Sequence, residues 1–393
     1  MNSSTPSNDN AAGKAVIVLD VGTTNIKVAV ITADSKVVFE QSKRTSTLSP
    51  AAGWQEQDPN EILRICQDLI AVAATHCAPD TPLGITNQRE SVVAWDETTA
   101  RALSNLILWS DKRTTDYCEA IRTPDLEQAI RAKTGLFLTP YSSAPKMHWL
   151  MQQDDVRSCT NLALGTLDSW LVFKLTGVFA TDYTNASRTM LYNIQARQWD
   201  EELLRIFDIN KDSLPSVLAS KASYGSLTLP NSKSVEIQTV VGDQQASMYA
   251  AGSEAGTTKV TYGTGIFPMR ILGSEFELRD NYLTTLAVGK NNEPIYALEG
   301  KVENAAVRVS AVYGKDQLAF DKLMLQLALE AAPVISGLID TPAQIVYVDG
   351  GISQNNDILA EQQKRNHIRT VRLPHYNGAA LGVAKLVFST HEG

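Results

Sequence analysis

The sequence predicts an α/β protein built from two halves of one element order. Apolar, β-branched runs end repeatedly in Gly-Thr or Gly-Gly turns, and the order of elements met in the first 90 residues returns after residue 235. In the first half, AVIVLD (15–20) reads as a buried strand stopped by Gly22. IKVAVIT (26–32) is its alternating neighbour, and VVFEQSKR (37–44) follows the turn-prone ADSK as a third strand. Three such strands make a meander. Asp58 as N-cap, Pro59 at the first helical position and Glu61 at the capping-box position then start a helix. Ile62, Ile65, Leu69 and Ala73 share one of its faces. LGIT (83–86) is the next strand. The middle is more helical, with periodicity near 125–133, 145–153, 168–176 and 200–207 and with Gly135 and Gly177 as stops.

The second half opens with VEIQTVVGD (235–243) and TTKVTYGTG (257–265), two strands that each run into a turn. IYALEG (295–300) is a third, and an apolar helix begins near Asn304. IVYVDGG (345–351) ends in a diglycine before a helix over 354–364. TVRLP (370–374) and a helix over 377–388 close the pattern. The expected domains are 15–234 and 235–393, after a polar leader over 1–14.

At 393 residues the chain exceeds one domain of roughly 100–200 residues. Lys plus Arg total 35 against 43 Asp plus Glu, a net charge of −8, which excludes a generally basic nucleic-acid surface. Cys66, Cys77, Cys118 and Cys159 form no C-x-x-C pair, which argues against a zinc knuckle or disulfide framework and for a reducing cytoplasm. The leader lacks a signal-peptide pattern, and no apolar window of about 18 residues predicts a membrane span. The five histidines share no spacing, so neither a zinc site nor a catalytic dyad is expected from them.

Three strand ends deliver Gly with Thr or Asp into turns: DVGTT (20–24), YGTG (262–265) and DGG (349–351). Backbone N–H groups at such glycines approach an oxyanion, threonine hydroxyls add donors, and an aspartate holds Mg²⁺ through water. Lys27 is placed to reach the same phosphates. In GDQQ (242–245), Asp243 is either the N-cap of a helix starting at Gln245 or a general base for an attacking hydroxyl. On the second reading, Asp20 and Asp243 sit on opposite halves and face each other across a cleft. Phosphoryl transfer needs little more than that carboxylate, Mg²⁺ and phosphate donors. Arg89 and Glu90 are either an exposed ion pair or a donor and acceptor for vicinal hydroxyls. Trp109, Tyr141 and Phe267 are either core aromatics or ligand contacts.

DVGTT, GWQEQDP (53–59), GITNQRE (84–90), WSDKRT (109–114), DYTNASRTMLYNI (182–194), GDQQA (242–246), TYGTG (261–265), ALEG (297–300) and VDGG (348–351) together resemble the FGGY carbohydrate kinases. Within them the likeness is to the glycerol-phosphorylating members, and it runs from about residue 15 to 388. The resemblance implies two actin-like (ribonuclease H-like) ATPase domains that close on ATP-Mg²⁺ and glycerol to make sn-glycerol 3-phosphate. It implies that Arg89, Glu90, Tyr141 and Asp243 hold the glycerol hydroxyls, that Trp109 and Phe267 pack on its carbons, and that Gln244 lies beside the catalytic Asp243. Thr23, Thr24, Lys27, Gly263 and Thr264 would serve the phosphates, and Gly351 and Asn355 would lie along the adenosine. Asp20 and Asp243 would serve the metal.

Against the family pattern, Lys27 replaces the usual arginine of glycerol-phosphorylating members and loses its bidentate geometry. Ala306 replaces a glycine, and the Gly-Leu-Gly-Ala-Pro-Tyr-Trp segment between the helix after ALEG and the helix before VDGG has no counterpart. The loop SLTLPNSKSV (226–235) and the end of the chain predict neither sugar-bisphosphate control nor a regulatory partner. Two alternatives stay open on these grounds: a kinase for another small polyol or a pentulose, and an inactive polyol or nucleotide sensor. Homodimeric or homotetrameric assembly is equally open.

Overall fold

The computed structural model describes residues 14–229, 234–263, 265–303 and 305–390. The leader, Thr264 and part of the 226–235 loop therefore lie outside the described residues, as does the side chain of Ala306.

Two six-stranded sheets organise the chain. The first contains β1 (Ala15–Val21), β2 (Asn25–Thr32), β3 (Val37–Arg44), β4 (Leu83–Asn87), β5 (Ser226–Thr228) and β6 (Ser234–Gly242), in the order β5-β6-β4-β1-β2-β3. The second contains β7 (Thr258–Tyr262), β8 (Ile266–Gly273), β9 (Leu283–Val288), β10 (Pro294–Glu299), β11 (Ile345–Asp349) and β12 (Arg369–Arg372), in the order β9-β10-β8-β7-β11-β12. Five strands of each sheet match in order, with β5 and β9 added at opposite edges. β1 is antiparallel to β2 and parallel to β4, which is in turn parallel to β6. Likewise β7 is antiparallel to β8 and parallel to β11, which is parallel to β12.

The first-half elements stand where the pattern puts them. Helix α1 (Pro59–Ala73) starts at Asp58, whose side chain accepts from Asn60 N at 2.8 Å, and it buries Ile62, Ile65, Leu69 and Ala73. Helices α2 (Pro124–Thr134), α3 (Ser143–Met151) and α4 (Leu167–Thr176) follow. α2 and α4 end at left-handed Gly135 and Gly177, as expected. A second sheet of the first half, around Val92–Asp96 and Leu162–Thr166, was not foreseen.

Four expectations are corrected. First, a boundary at 234/235 falls at the start of β6, which pairs with β4, so the first sheet closes only at Gly242. Second, Asp20 and Asp243 are carried by β1 and by the end of β6, strands of the same sheet, and not by opposite halves. Third, the second sheet holds β8 and β9, and a 20-residue helix, α7 (Gln317–Ser336), follows α6 (Ala305–Val312). Fourth, the helix after the diglycine is α8 (Asn356–Asn366), reached through a 3₁₀ turn over Gly351–Gln354.

Helix α5 (Asp243–Ala251) follows β6, and α9 (Gly378–Phe388) follows β12. These two helices pack on each other, and α9 also lies against β1, β4 and β6. Glycine permits this approach: a Cβ on Gly382 would stand 1.7 Å from Ala246 O. The crossing brings the ends of both sheets to one cleft.

Candidate active site

The cleft is about 290 Å³ and is lined from both halves. The first sheet supplies Asp20 from β1, and Gly22, Thr23 and Lys27 from the β1–β2 hairpin and β2. Gln88, Arg89 and Glu90 follow β4, and Asp243 follows β6. The second sheet supplies Thr261, Gly263, Asp349, Gly350 and Gly351. Trp109, Tyr141, Gln244 and Phe267 complete the lining, and Tyr376, Asn377 and Gly378 enter ahead of α9. Most of the expected site residues thus share one cavity.

Two of them stand elsewhere. Thr24 is exposed and outside the lining, with its carbonyl accepting from Thr45 N at 3.1 Å. Asn355 caps α8 through Ile358 N at 3.0 Å and lines a neighbouring apolar cavity of about 650 Å³ together with Val309, Tyr313, Phe320 and Met324. Thr264 lies outside the described residues.

Asp243 is the first residue of α5, with Gly242 at the N-cap, which removes the capping alternative. Its Oδ1 accepts from Gln244 N at 2.7 Å and faces Arg89 Nε at 3.2 Å. Loss of hydration lifts its pKa to about 6, and Arg89 pulls against that rise. A carboxylate poised near neutrality is suited to taking up a proton. Asp20 is raised by burial too, opposed by Lys27 and by Asn377, whose Nδ2 donates to Oδ2 at 2.9 Å. The Lys27 ammonium lies 5.1 Å from the centre of the Tyr376 ring, and Tyr376 donates to Glu40 at 2.9 Å.

Arg89 and Glu90 are buried, not exposed, and they are not paired with each other. Arg89 donates through Nη1 and Nη2 to the two oxygens of Glu299, at 2.7 and 3.0 Å. Arg188 Nε donates to Glu90 Oε1 at 2.6 Å. Glu90 sits at φ 63°, a left-handed conformation that costs a non-glycine residue about 1–3 kcal/mol and is typical of functional sites.

The aromatic wall is fixed from behind. Trp109 Nε1 donates to Thr23 Oγ1 at 2.9 Å, and Thr23 donates on to Gln88 Oε1 at 2.9 Å. The Tyr141 ring stands edge-on to Trp109 at 5.5 Å. Lys146, fully buried, donates to the carbonyls of Pro140, Tyr141 and Ser142 and so holds the Tyr141 loop. On the second sheet, Lys259 donates to Gln244 Oε1 at 3.0 Å and Thr261 Oγ1 at 2.6 Å, and Thr261 donates to Asp349 at 2.6 Å.

Reading the sequence did not single out Glu299, Arg188, Lys259 or Asn377, whereas Asp349 was read only as part of the DGG turn. The one available signal was charge inside otherwise apolar strand ends, such as Glu299 in YALEG.

A cleft between two sheets of related topology, lined by carboxylates and glycine turns at their strand ends, defines the actin-like ATPase fold. The model of the FGGY family of carbohydrate kinases, N-terminal domain, matches residues 15–249. The glycerol kinase of Halothermothrix orenii is 41% identical over 74% of this chain and 61% of its own length, and that of Brachyspira hyodysenteriae is 39% identical over 78% and 65%. The chain thus spans less than two-thirds of these relatives. The solved glycerol kinase of Plasmodium falciparum with ADP superposes at a TM-score of 0.84 with 25% identity, covering 95% of this chain and 89% of that one. A gluconate kinase from Lactobacillus acidophilus shares the fold, with a TM-score of 0.81 and 18% identity. The chain belongs to the FGGY family of carbohydrate kinases.

Proposed function

We propose that this protein transfers the γ-phosphoryl group of ATP to a terminal hydroxyl of glycerol, giving sn-glycerol 3-phosphate and ADP. The observation that carries the reading is the position of Asp243, a carboxylate with a pKa lifted to about 6, in one cleft with Arg89, Glu90, Tyr141 and the glycine turns. Arg89 and Glu90 offer a fixed donor and acceptor to vicinal hydroxyls, while Trp109 and Phe267 cover the carbon chain. Asp243 takes the hydroxyl proton as the new O–P bond forms and the bond to the ADP oxygen breaks. Thr23, Lys27 and the backbone N–H of Gly351 receive the phosphates, while the N–H groups of Gly22, Gly263 and Gly350 are spent on Asn25 O, Gly265 O and Tyr376 O and hold the glycine turns open to them. Gly351 and Asn355 border the apolar cavity in which the adenosine would lie.

The donor set fits Mg²⁺. Asp20 and Asp243 present hard oxygens to the cleft, and among the described residues no three His, Cys, Asp or Glu side chains form a closed metal site. Asp20 and Asp243 would hold the ion, and its charge would offset that of the phosphates. We place the activity in the cytoplasm, a compartment that suits the buried, unbridged thiols of Cys66 and Cys118. No helix among the described residues is long and apolar enough to cross a membrane.

A coupled assay of ADP release with glycerol, then erythritol, ribitol and xylulose, tests the reading. Glycerol-dependent ADP release is the expected result. Release driven best by xylulose would move the assignment to a pentulose kinase, and polyol binding without ADP release would make the chain a sensor.

A further inference from the structure

We infer that Glu299 and Arg188 form a positioning pair that sets Arg89 and Glu90 for the acceptor. The inference rests on the polyol-kinase reading above. Neither Glu299 nor Arg188 lines the cleft, so each acts through the residue it holds.

Both oxygens of Glu299 receive the fork of Arg89, which leaves the Nε edge of the guanidinium toward Asp243 at 3.2 Å. Gln245 Oε1 accepts from Nη1 at 3.2 Å and locks the plane further. Arg188 donates through Nε to Glu90 and through Nη2 to Glu299 Oε1 at 3.3 Å. Glu299 therefore meets both arginines, and its side chain and those of Arg89, Glu90 and Arg188 are each at most 3% exposed. Two positive and two negative groups balance, which is the condition for keeping such charges buried. Burial alone would raise the Glu299 carboxyl, but Arg188 and Arg89 hold it down to about 2, so it stays ionised across the working range.

The pair also joins the halves. Arg89, Glu90 and Arg188 belong to the first half, whereas Glu299 ends β10 of the second sheet. A planar, bidentate partner fixes direction as well as charge. Glu299 thereby fixes the plane of the Arg89 guanidinium and, with it, the direction of the Nε edge that meets Asp243 at 3.2 Å.

The test compares the full-length wild type with Glu299→Gln and Glu299→Asp, varying glycerol and ATP in initial-rate assays. Glu299→Gln is expected to raise the KM for glycerol roughly tenfold or more, the scale of one charged hydrogen bond, and to leave the KM for ATP nearly unchanged. Glu299→Asp keeps the charge but withdraws it, so the glycerol KM rises by less. A tie that only supports the fold would lower the active fraction, and hence kcat, without moving the glycerol KM; that result overturns the inference. If Glu299→Gln does not fold, Glu299→Asp decides alone: a wild-type glycerol KM overturns the inference, and a raised one upholds it. A wild type that releases no ADP with glycerol defeats the functional reading itself and takes this inference with it.

Discussion

The two sheets share the order of five strands yet face the cleft with different chemistry. At the strand ends of the first half stand side chains: Asp20 on β1, Arg89 and Glu90 after β4, and Asp243 after β6. At the matching ends of the second stand Gly263 after β7, and Asp349, Gly350 and Gly351 at the end of β11. One frame thus holds two kinds of recognition. In the proposed reading, a small neutral polyol needs side-chain donors and acceptors on fixed vectors, because it carries no charge to attract. A polyphosphate needs close backbone approach, which a side chain would block. The helices α5 and α9 follow β6 and β12 and cross where Gly382 replaces any larger residue, so the two chemistries meet.

The division predicts where substitutions strike. Asp243→Asn should lower glycerol-dependent turnover by roughly 10²–10⁴-fold, with glycerol binding still measurable by calorimetry. Turnover near wild type would break the assignment of chemistry to the first half. Leu19→Ala, in the core of the first sheet at 0% exposure, should cost about 2–5 kcal/mol in denaturant unfolding.

Gly350→Ala probes the backbone side. Its φ is +87°, and an added Cβ would lie 2.4 Å from Tyr262 O, so the turn must distort. A stability loss of about 1–3 kcal/mol and a raised KM for ATP are expected, with the glycerol KM little changed. The hairpin counterpart Gly263→Ala meets its nearest neighbour only at 3.6 Å and should change thermal stability by less than about 0.5 kcal/mol.

Asp243 sets the expected pH dependence. A base must be deprotonated to act, and this one has a pKa of about 6, so kcat/KM should rise with pH through 6 and level off above it. Below 6 the fall is about tenfold per unit. An acid limb near pH 4, the ordinary aspartate range, would show that burial does not tune this residue. The smallest effect is expected for Leu329→Ala on α7, where 53% exposure limits the loss to about 0.5 kcal/mol.

Much of this was legible in the sequence because it is local. β1 to β4, the start of α1 and the glycine stops are written within a few residues of where they act. β8 was not, since Pro268 and Arg270 interrupt a run that reads poorly as a central strand. α7 was missed because its apolar residues go all round, with Leu318, Leu325 and Leu329 exposed opposite buried Leu323 and Leu327. In the site, Asp243, Arg89 and Glu90 were legible as residue types in motifs, but their partners were not.

The sequence by itself determined the strands, the turns and the groups able to do chemistry, because periodicity and turn residues act over short range. Only the tertiary structure decided that Asp20 and Asp243 share one sheet and that Arg89 is bound to Glu299, 210 residues away. It also decided that Glu90 is held by Arg188, 98 residues away. Such pairs form because buried charges must find a partner once the two sheets close on one cleft, and nothing local names which partner it will be.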